Sequence, residues 1–402
     1  MKLDRQTALK LRFLIVVSAL LKFSFLLIKY HYGYVLGAPY LVNPDELQYL
    51  IRGETGDYTV KIGQHFVYEY INSVATVVSP EASSRFLLLS SINIGLSLLY
   101  PIVAFPFLRF IWGSRGGFDR FYLAVSCFYL LCPSSIWLAA ANLKDTMVTL
   151  MVLGLLSSIA TNQMHLSFRS FFQFLLMAGL LFSTRSYLSV AVVGMAIAVS
   201  FRMIRTVSWQ NLSMYGAIIV VFLLSGVGAY ILGFFSGSNM MFDRTAIDQK
   251  VLEQELVGGR EFKVNHTPFE VLRGTARHLV DPLPNVFDEN RVYNVLSVQT
   301  VLVFFGLIPF AVGAFKLRGN LMGEIAIGVS LMLLIFYGIN ETGAGPRTRF
   351  PSFDILAAPI ALFAVKSGLF PRRFHFAAIL FGVVMTLAGL AVTSRGVLGA
   401  SM

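Results

Sequence analysis

Residues 12–30 read RFLIVVSALLKFSFLLIKY, and this stretch decides the fold. A helix of that length rises about 28 Å, close to the roughly 30 Å hydrocarbon core of a bilayer. Lys2, Arg5, Lys10 and Arg12 precede or open it, which holds the N-terminus in the cytoplasm. No small-residue cleavage site follows, and Lys22 interrupts the apolar run, so it reads as an uncleaved first span rather than a signal peptide.

The same reading repeats along the chain. Of 402 residues, 56% are hydrophobic and only 13% charged, with a mean hydropathy of +0.70. So much apolar surface does not fit into a soluble core. The expected fold class is all-α, a polytopic transmembrane bundle of about eleven spans: 12–30, 86–110, 120–141, 146–162, 168–184, 187–203, 213–235, 297–315, 321–338, 352–367 and 375–393. Spans four to six are short and closely spaced, which leaves room for one of them to be re-entrant. Three regions follow: an N-terminal transmembrane module over 1–235, an outer-face cap over 236–296 and a C-terminal transmembrane module over 297–402.

Charge fixes the expected orientation. Arg109, Arg115, Arg120, Arg169, Arg202, Arg205, Lys316, Arg318, Lys366, Arg372 and Arg373 join the N-terminal cluster on one side. Of the 21 carboxylates, only Asp4, Asp119 and Glu324 accompany them. The net charge of +11 is thus a signature of topology and calls for no nucleic-acid partner. Cys127 and Cys132 share one apolar stretch and read as packing thiols. The expected setting is the cell (inner) membrane, multi-pass, surrounded by membrane lipids.

Two outer segments are long enough to fold. In the first, about 30–85, an interfacial helix is expected over Gly63–Ser79, where Val67, Tyr70, Ile71, Val74, Val77 and Val78 recur at helical spacing. In the second, about 236–297, Arg273, Arg277 and His278 lie at helical spacing. Arg273 and Arg277 share a face, which can meet an acceptor glycan or diphosphate, or simply water.

Ionisable residues at span ends cost about 2.5–3.5 kcal/mol in hydrocarbon on translocon scales, so they are candidates for function. Asn43-Pro44-Asp45-Glu46-Leu47-Gln48-Tyr49 follows the first span. Pro44 favours a helix start that puts Asp45 and Glu46 in its first turn and Tyr49 on the face of Asp45. A carboxylate there can act as general base toward a sugar hydroxyl, ligate a divalent cation (Mg or Mn), or merely complement the helix dipole. Lys144 can bind a phosphate or snorkel, and Asp145 can orient a base or hold a metal. Arg185, in the turn Ser183–Tyr187 between two apolar spans, suits a bidentate anion or an interfacial anchor. Arg347 and Arg349 begin a late span after the glycines of Gly343-Ala344-Gly345, against both the positive-inside bias and the helix dipole. Asp354 can pair with either. His266 and His278 lack ligand-spaced partners, and the metal status stays open.

The acidic residue in the first outer loop, with Tyr49 one turn on, an interfacial helix and many further spans, resembles the GT-C superfamily of integral-membrane glycosyltransferases. Among them it looks like bacterial envelope-polysaccharide and protein-mannosyltransferase-like members. That resemblance implies inverting sugar transfer from a polyprenyl-phosphate donor to a glycan, lipid or protein acceptor on the periplasmic or extracellular face. It implies Asp45 as catalytic base, with Glu46 beside it. Lys144-Asp145 is similar to a pair in envelope-polysaccharide enzymes. Arg347-Thr348-Arg349-Phe350-Pro351 resembles a segment that grips lipid-linked phosphate or pyrophosphate.

Two other functions compete. A repeat-unit polymerase moves glycans between polyprenyl-diphosphate carriers, and the outer arginines suit its two lipid sites. A transporter or flippase would be expected to carry internal repeats and midplane charges. No repeat is visible, and Lys22 is the one clear midspan charge.

Overall fold

The computed structural model describes residues 3–36, 46, 49–50, 66–164, 168–202, 267–280, 291–339 and 346–400. All regular structure among them is helical. Seven segments are long and apolar enough to cross a membrane, or eight if one bent pair counts as a span. The expected span 213–235 lies outside the described residues, so the figure of about eleven is neither reached nor replaced.

Helix α1 (Arg5–Ile28) starts at Asp4, whose carboxylate accepts from the Thr7 amide at 2.7 Å and the Thr7 hydroxyl at 2.9 Å. It runs on through a π-helical turn over Lys29–Val35. Its outward side carries Phe13, Leu20 and Leu27, each more than 60% exposed. Its inward side carries Ser18, Lys22 and Lys29, all fully buried. This inside-out pattern suits a chain whose solvent is lipid. Ser18 donates to the Leu130 carbonyl at 2.9 Å and Lys22 to the Ser97 hydroxyl at 2.9 Å.

Next come α2 (Phe66–Val78), α3 (Ala82–Leu98) and α4 (Tyr100–Trp112). Then α5 (Phe118–Leu131) and α6 (Pro133–Ala139) form the bent pair, 50° apart. Cys132 is extended, as a residue before proline should be, and Pro133 opens α6.

Helix α7 (Asp145–Met164) is the centre of the bundle: 89% of its apolar window is buried, packed by α4 and by α8 (Phe168–Arg202). Arg185, with φ −150° and ψ 84°, breaks α8. The Ser189 hydroxyl donates to the Ala178 carbonyl at 3.0 Å. A straight helix would separate that pair by about 16 Å along its axis. The chain therefore reverses at Arg185 into two arms, matching the turn expected between 168–184 and 187–203.

Beyond 266, a reciprocal capping box between Thr267 and Glu270 starts α9 (Pro268–Val280). Helices α10 (Arg291–Lys316), α11 (Leu321–Ile339) and α12 (Pro346–Arg349) follow, then a π turn over Phe350–Asp354, α13 (Ile355–Lys366) and α14 (Arg372–Ala400). Helix α9 lies tight on α11 because Gly338 has no side chain. A Cβ there would overlap the Thr275 hydroxyl and the Val271 carbonyl.

Helix α2 occupies the core of the expected interfacial helix. Its exposed side is apolar, with Tyr70, Val74, Val77 and Val78, while Tyr68, Glu69 and Asn72 are buried against the protein. A helix so oriented turns its polar face to the bundle and its apolar face away from it.

Candidate active site: a buried charged layer at one end of the bundle

The C-terminal ends of α1 and α11, the N-terminal ends of α7 and α12 and the tip of the α8 hairpin lie at one end of the bundle. Ion pairs, hydrogen bonds and ring contacts link their side chains in two runs, which the chain itself joins at Asn142–Asp145 and at His278–Leu279.

Its first part is a fully buried ion pair. Lys29 Nζ lies 2.6 Å and 2.7 Å from the two carboxylate oxygens of Glu46. The Asn142 backbone amide donates to the same carboxylate at 2.9 Å. Lys29 also sits 5.8 Å from the ring centres of Phe86 and Trp137. Glu46 therefore ties the first outer segment to α1 and to the loop before α7, and Lys29 is a partner that sequence reading missed. Asp45, the expected base, lies outside the described residues.

Asn142 extends the layer. Its side-chain oxygen accepts from the Tyr68 hydroxyl at 2.5 Å, and Tyr68 packs edge-on to Tyr49 with ring centres 5.0 Å apart. Burial, reinforced by Tyr49 and the nearby carboxylates, holds the Tyr68 hydroxyl well above its ordinary pKa, so it stays a donor. Asn93 braces the turn by donating to the carbonyls of Ala141 and Leu143 at 2.7 Å and 2.9 Å. Lys144 is buried on this turn.

Asp145 forms an ion pair with Arg185. The Arg185 guanidinium also donates to the Tyr187 hydroxyl at 2.6 Å, and that hydroxyl meets the Tyr337 hydroxyl at 2.7 Å. Adjacent opposite charges do not face each other on a helix, and Asp145 reaches across to Arg185 on another helix. The turn at Arg185 is not open to the outside: Thr184, Arg185 and Ser186 are all buried. Arg185 Nε donates to nothing among the described residues.

Tyr337 stacks on His278, with ring centres 4.4 Å apart and planes at 17°. Of the three charged or titratable groups singled out on α9, Arg273 and Arg277 face outward while His278 is buried. Neither nitrogen of His278 has a hydrogen-bond partner among the described residues. Burial first, and the Arg349 charge second, push its pKa down to about 3, so the ring is neutral. The neutral folded form contributes stability in full above the unfolded value near 6.5, and that contribution is lost as pH falls from there toward 3. Lowering the pH to 5 is expected to cost the protein about 2 kcal/mol through this group, at about 1.4 kcal/mol per pH unit. His278→Phe keeps the stacking and should flatten the stability profile between pH 5 and 6.5 in detergent unfolding. An unaltered profile would mean that another group sets it.

Arg349 closes the layer as a clamp. It is fully buried, contacts Asp354 at 3.3 Å, donates to the Leu279 carbonyl at 2.7 Å and reaches the Thr300 hydroxyl at 3.3 Å. It thereby joins α9, α10 and the π turn. The Arg347 side chain lies outside the described set. Among the described residues no group of three or more His, Cys, Asp or Glu could hold a metal ion.

The fold and this layer define a helical protein of membrane-spanning character with a buried charged centre at one end. No protein-family model matches the chain, and no curated protein matches it either.

Proposed function

We propose that the chain is a GT-C-like glycosyltransferase of the cell (inner) membrane. It would transfer a sugar from a polyprenyl-phosphate donor to a glycan, lipid or protein acceptor on the non-cytoplasmic face. One observation carries the reading: Glu46, Lys144, Asp145, Arg185 and Arg349, distant in sequence, share one buried layer at one end of the bundle. Asp45 is the covalent neighbour of anchored Glu46. In this reading Asp45 takes the proton of the acceptor hydroxyl. The hydroxyl oxygen then attacks the anomeric carbon, and the bond from that carbon to the phosphate oxygen breaks with inversion. Lys144, Arg347 and the unpaired Nε of Arg185 meet the departing phosphate, and Tyr49 lines the approach. A divalent cation such as Mg or Mn would be held by Asp45 together with the donor phosphate.

The test is purified protein incubated with radiolabelled polyprenyl-phosphate sugars and polyprenyl-diphosphate oligosaccharides. Consumption of the monophosphate sugars is expected. Consumption of the diphosphate oligosaccharides alone would make the protein a repeat-unit polymerase, and of neither, a transporter or flippase.

Sidedness has its own test. Arg273 and Arg277 are exposed on α9, beside the layer, and Arg115 and Arg318 are exposed in turns at the far ends of their helices. Cysteines at 273 and 277 should react with an impermeant thiol reagent applied outside. Cysteines at 115 and 318 should react only after the membrane is opened. The reverse pattern would put the layer on the cytoplasmic face.

A further inference from the structure

Between α5, α10 and α13 lies a narrow apolar groove with a cavity volume of about 50 Å³. Its walls include Phe128, Val303 and Phe310, its floor is made of small residues such as Gly306, Ala357 and Ala361, and Leu302 at the rim is 45% exposed. It extends from Asp354 to Ala361, about 10 Å or two helical turns. Among the described residues that line it, Asp354 alone is polar, and it is 2% exposed.

One carboxylate oxygen of Asp354, Oδ2, accepts from Gln299 Nε2 at 3.0 Å and from Arg349 Nε at 3.3 Å. The other, Oδ1, lies 3.3 Å from the same Arg349 nitrogen but accepts no hydrogen bond from any described residue. A buried charged acceptor without a donor is costly to maintain, and such atoms call for a partner. The rest of the described lining is apolar, so the partner must bring a donor on a hydrocarbon body.

Charge narrows the ligand further. Arg349 already neutralises Asp354. An ammonium group would leave the buried site with an excess positive charge, and a phosphate would set an anion against the carboxylate. A hydroxyl keeps the site neutral and supplies the missing donor. Shape points the same way: a groove two helical turns long, open at a rim that faces lipid, takes the inner part of one chain and leaves the rest in the bilayer.

We propose that this groove binds a single hydrocarbon chain ending in a neutral hydroxyl, a long-chain alcohol of the membrane, with that hydroxyl donating to Asp354 Oδ1. The site is separate from the phosphate-binding role given to Lys144, Arg185 and Arg347, and it stands whether or not the protein transfers sugar.

The test uses the purified full chain in lipid nanodiscs with hexadecanol carrying a diazirine near its hydroxyl. Crosslinks are expected to concentrate on residues 302–306 and 353–357, the end of the groove beside Asp354. Unlabelled hexadecanol should compete about ten- to a hundredfold better than hexadecane or hexadecyl phosphate, the range expected for one hydrogen bond to a charged group. Asp354→Asn also disturbs the contact with Arg349 and can cost folding, so Gly306→Phe is the decisive variant. A Cβ added at Gly306 meets nothing within 4 Å, so the new ring fills the groove and leaves the charged layer in place. Labelling should then disappear. Three results would overturn the proposal: labelling spread evenly over the outward faces of α1 and α14, labelling unchanged in Gly306→Phe, or equal competition by hexadecane or hexadecyl phosphate.

Discussion

Asn in place of Asp45 is expected to cut sugar transfer by about 100- to 10,000-fold while leaving expression and donor binding near wild type. The amide keeps the shape of the carboxylate but cannot take the proton of the acceptor hydroxyl. Its neighbour should behave differently. Glu46 is fully buried, paired with Lys29 and bonded to the Asn142 amide. Glu46→Gln should therefore lower stability and activity together, with no selective loss of the chemical step. Initial rates, donor affinity and melting temperature, measured side by side on the two variants, separate a base from a brace. Near wild-type turnover in Asp45→Asn would return that residue to helix-start electrostatics.

The contrast between these adjacent carboxylates marks where sequence reading stops. Hydropathy located the described spans because a water-free surrounding, lipid on the outside and packed helices within, imposes apolar runs: 12–30, 146–162, 297–315, 321–338 and 375–393 all fall within helices. The turn at Ser183–Tyr187 was visible because Arg185 interrupts an uncharged stretch, but its burial was not, since burial depends on α7 and α11 closing over it. The sequence allowed Asp354 either Arg347 or Arg349, and the structure brings Arg349 to it across the π turn over Phe350–Asp354. The interfacial helix was legible from its periodicity. Tyr337 carried no signal: a tyrosine near the end of an apolar span reads as a headgroup anchor, and its partner Tyr187 is 150 residues away. The burial of His278 carried no signal in the sequence, because a lone histidine without ligand-spaced partners on a helix with two exposed arginines reads as solvated. Lys29 did carry a signal. A lysine at the outer end of a span runs against the positive-inside bias and asks for a buried anion.

That anion is Glu46, and the pair makes the second large prediction. Lys29→Met alone should destabilise the protein by about 3–5 kcal/mol, because it takes the lysine charge away from a fully buried carboxylate. Glu46→Gln should also destabilise, because it leaves the lysine charge between the Phe86 and Trp137 rings with no counter-ion from position 46. The variant carrying both substitutions should be more stable than the sum of its parts predicts, since no uncompensated charge from the pair remains. The amide oxygen that replaces the carboxylate can still accept from the Asn142 backbone. A double-mutant cycle, read from unfolding in mixed micelles, gives the coupling directly. Strictly additive losses would mean that the two groups do not sense each other. The brace that holds Glu46 to α1 and to the loop before α7 would then have to be sought elsewhere in the layer.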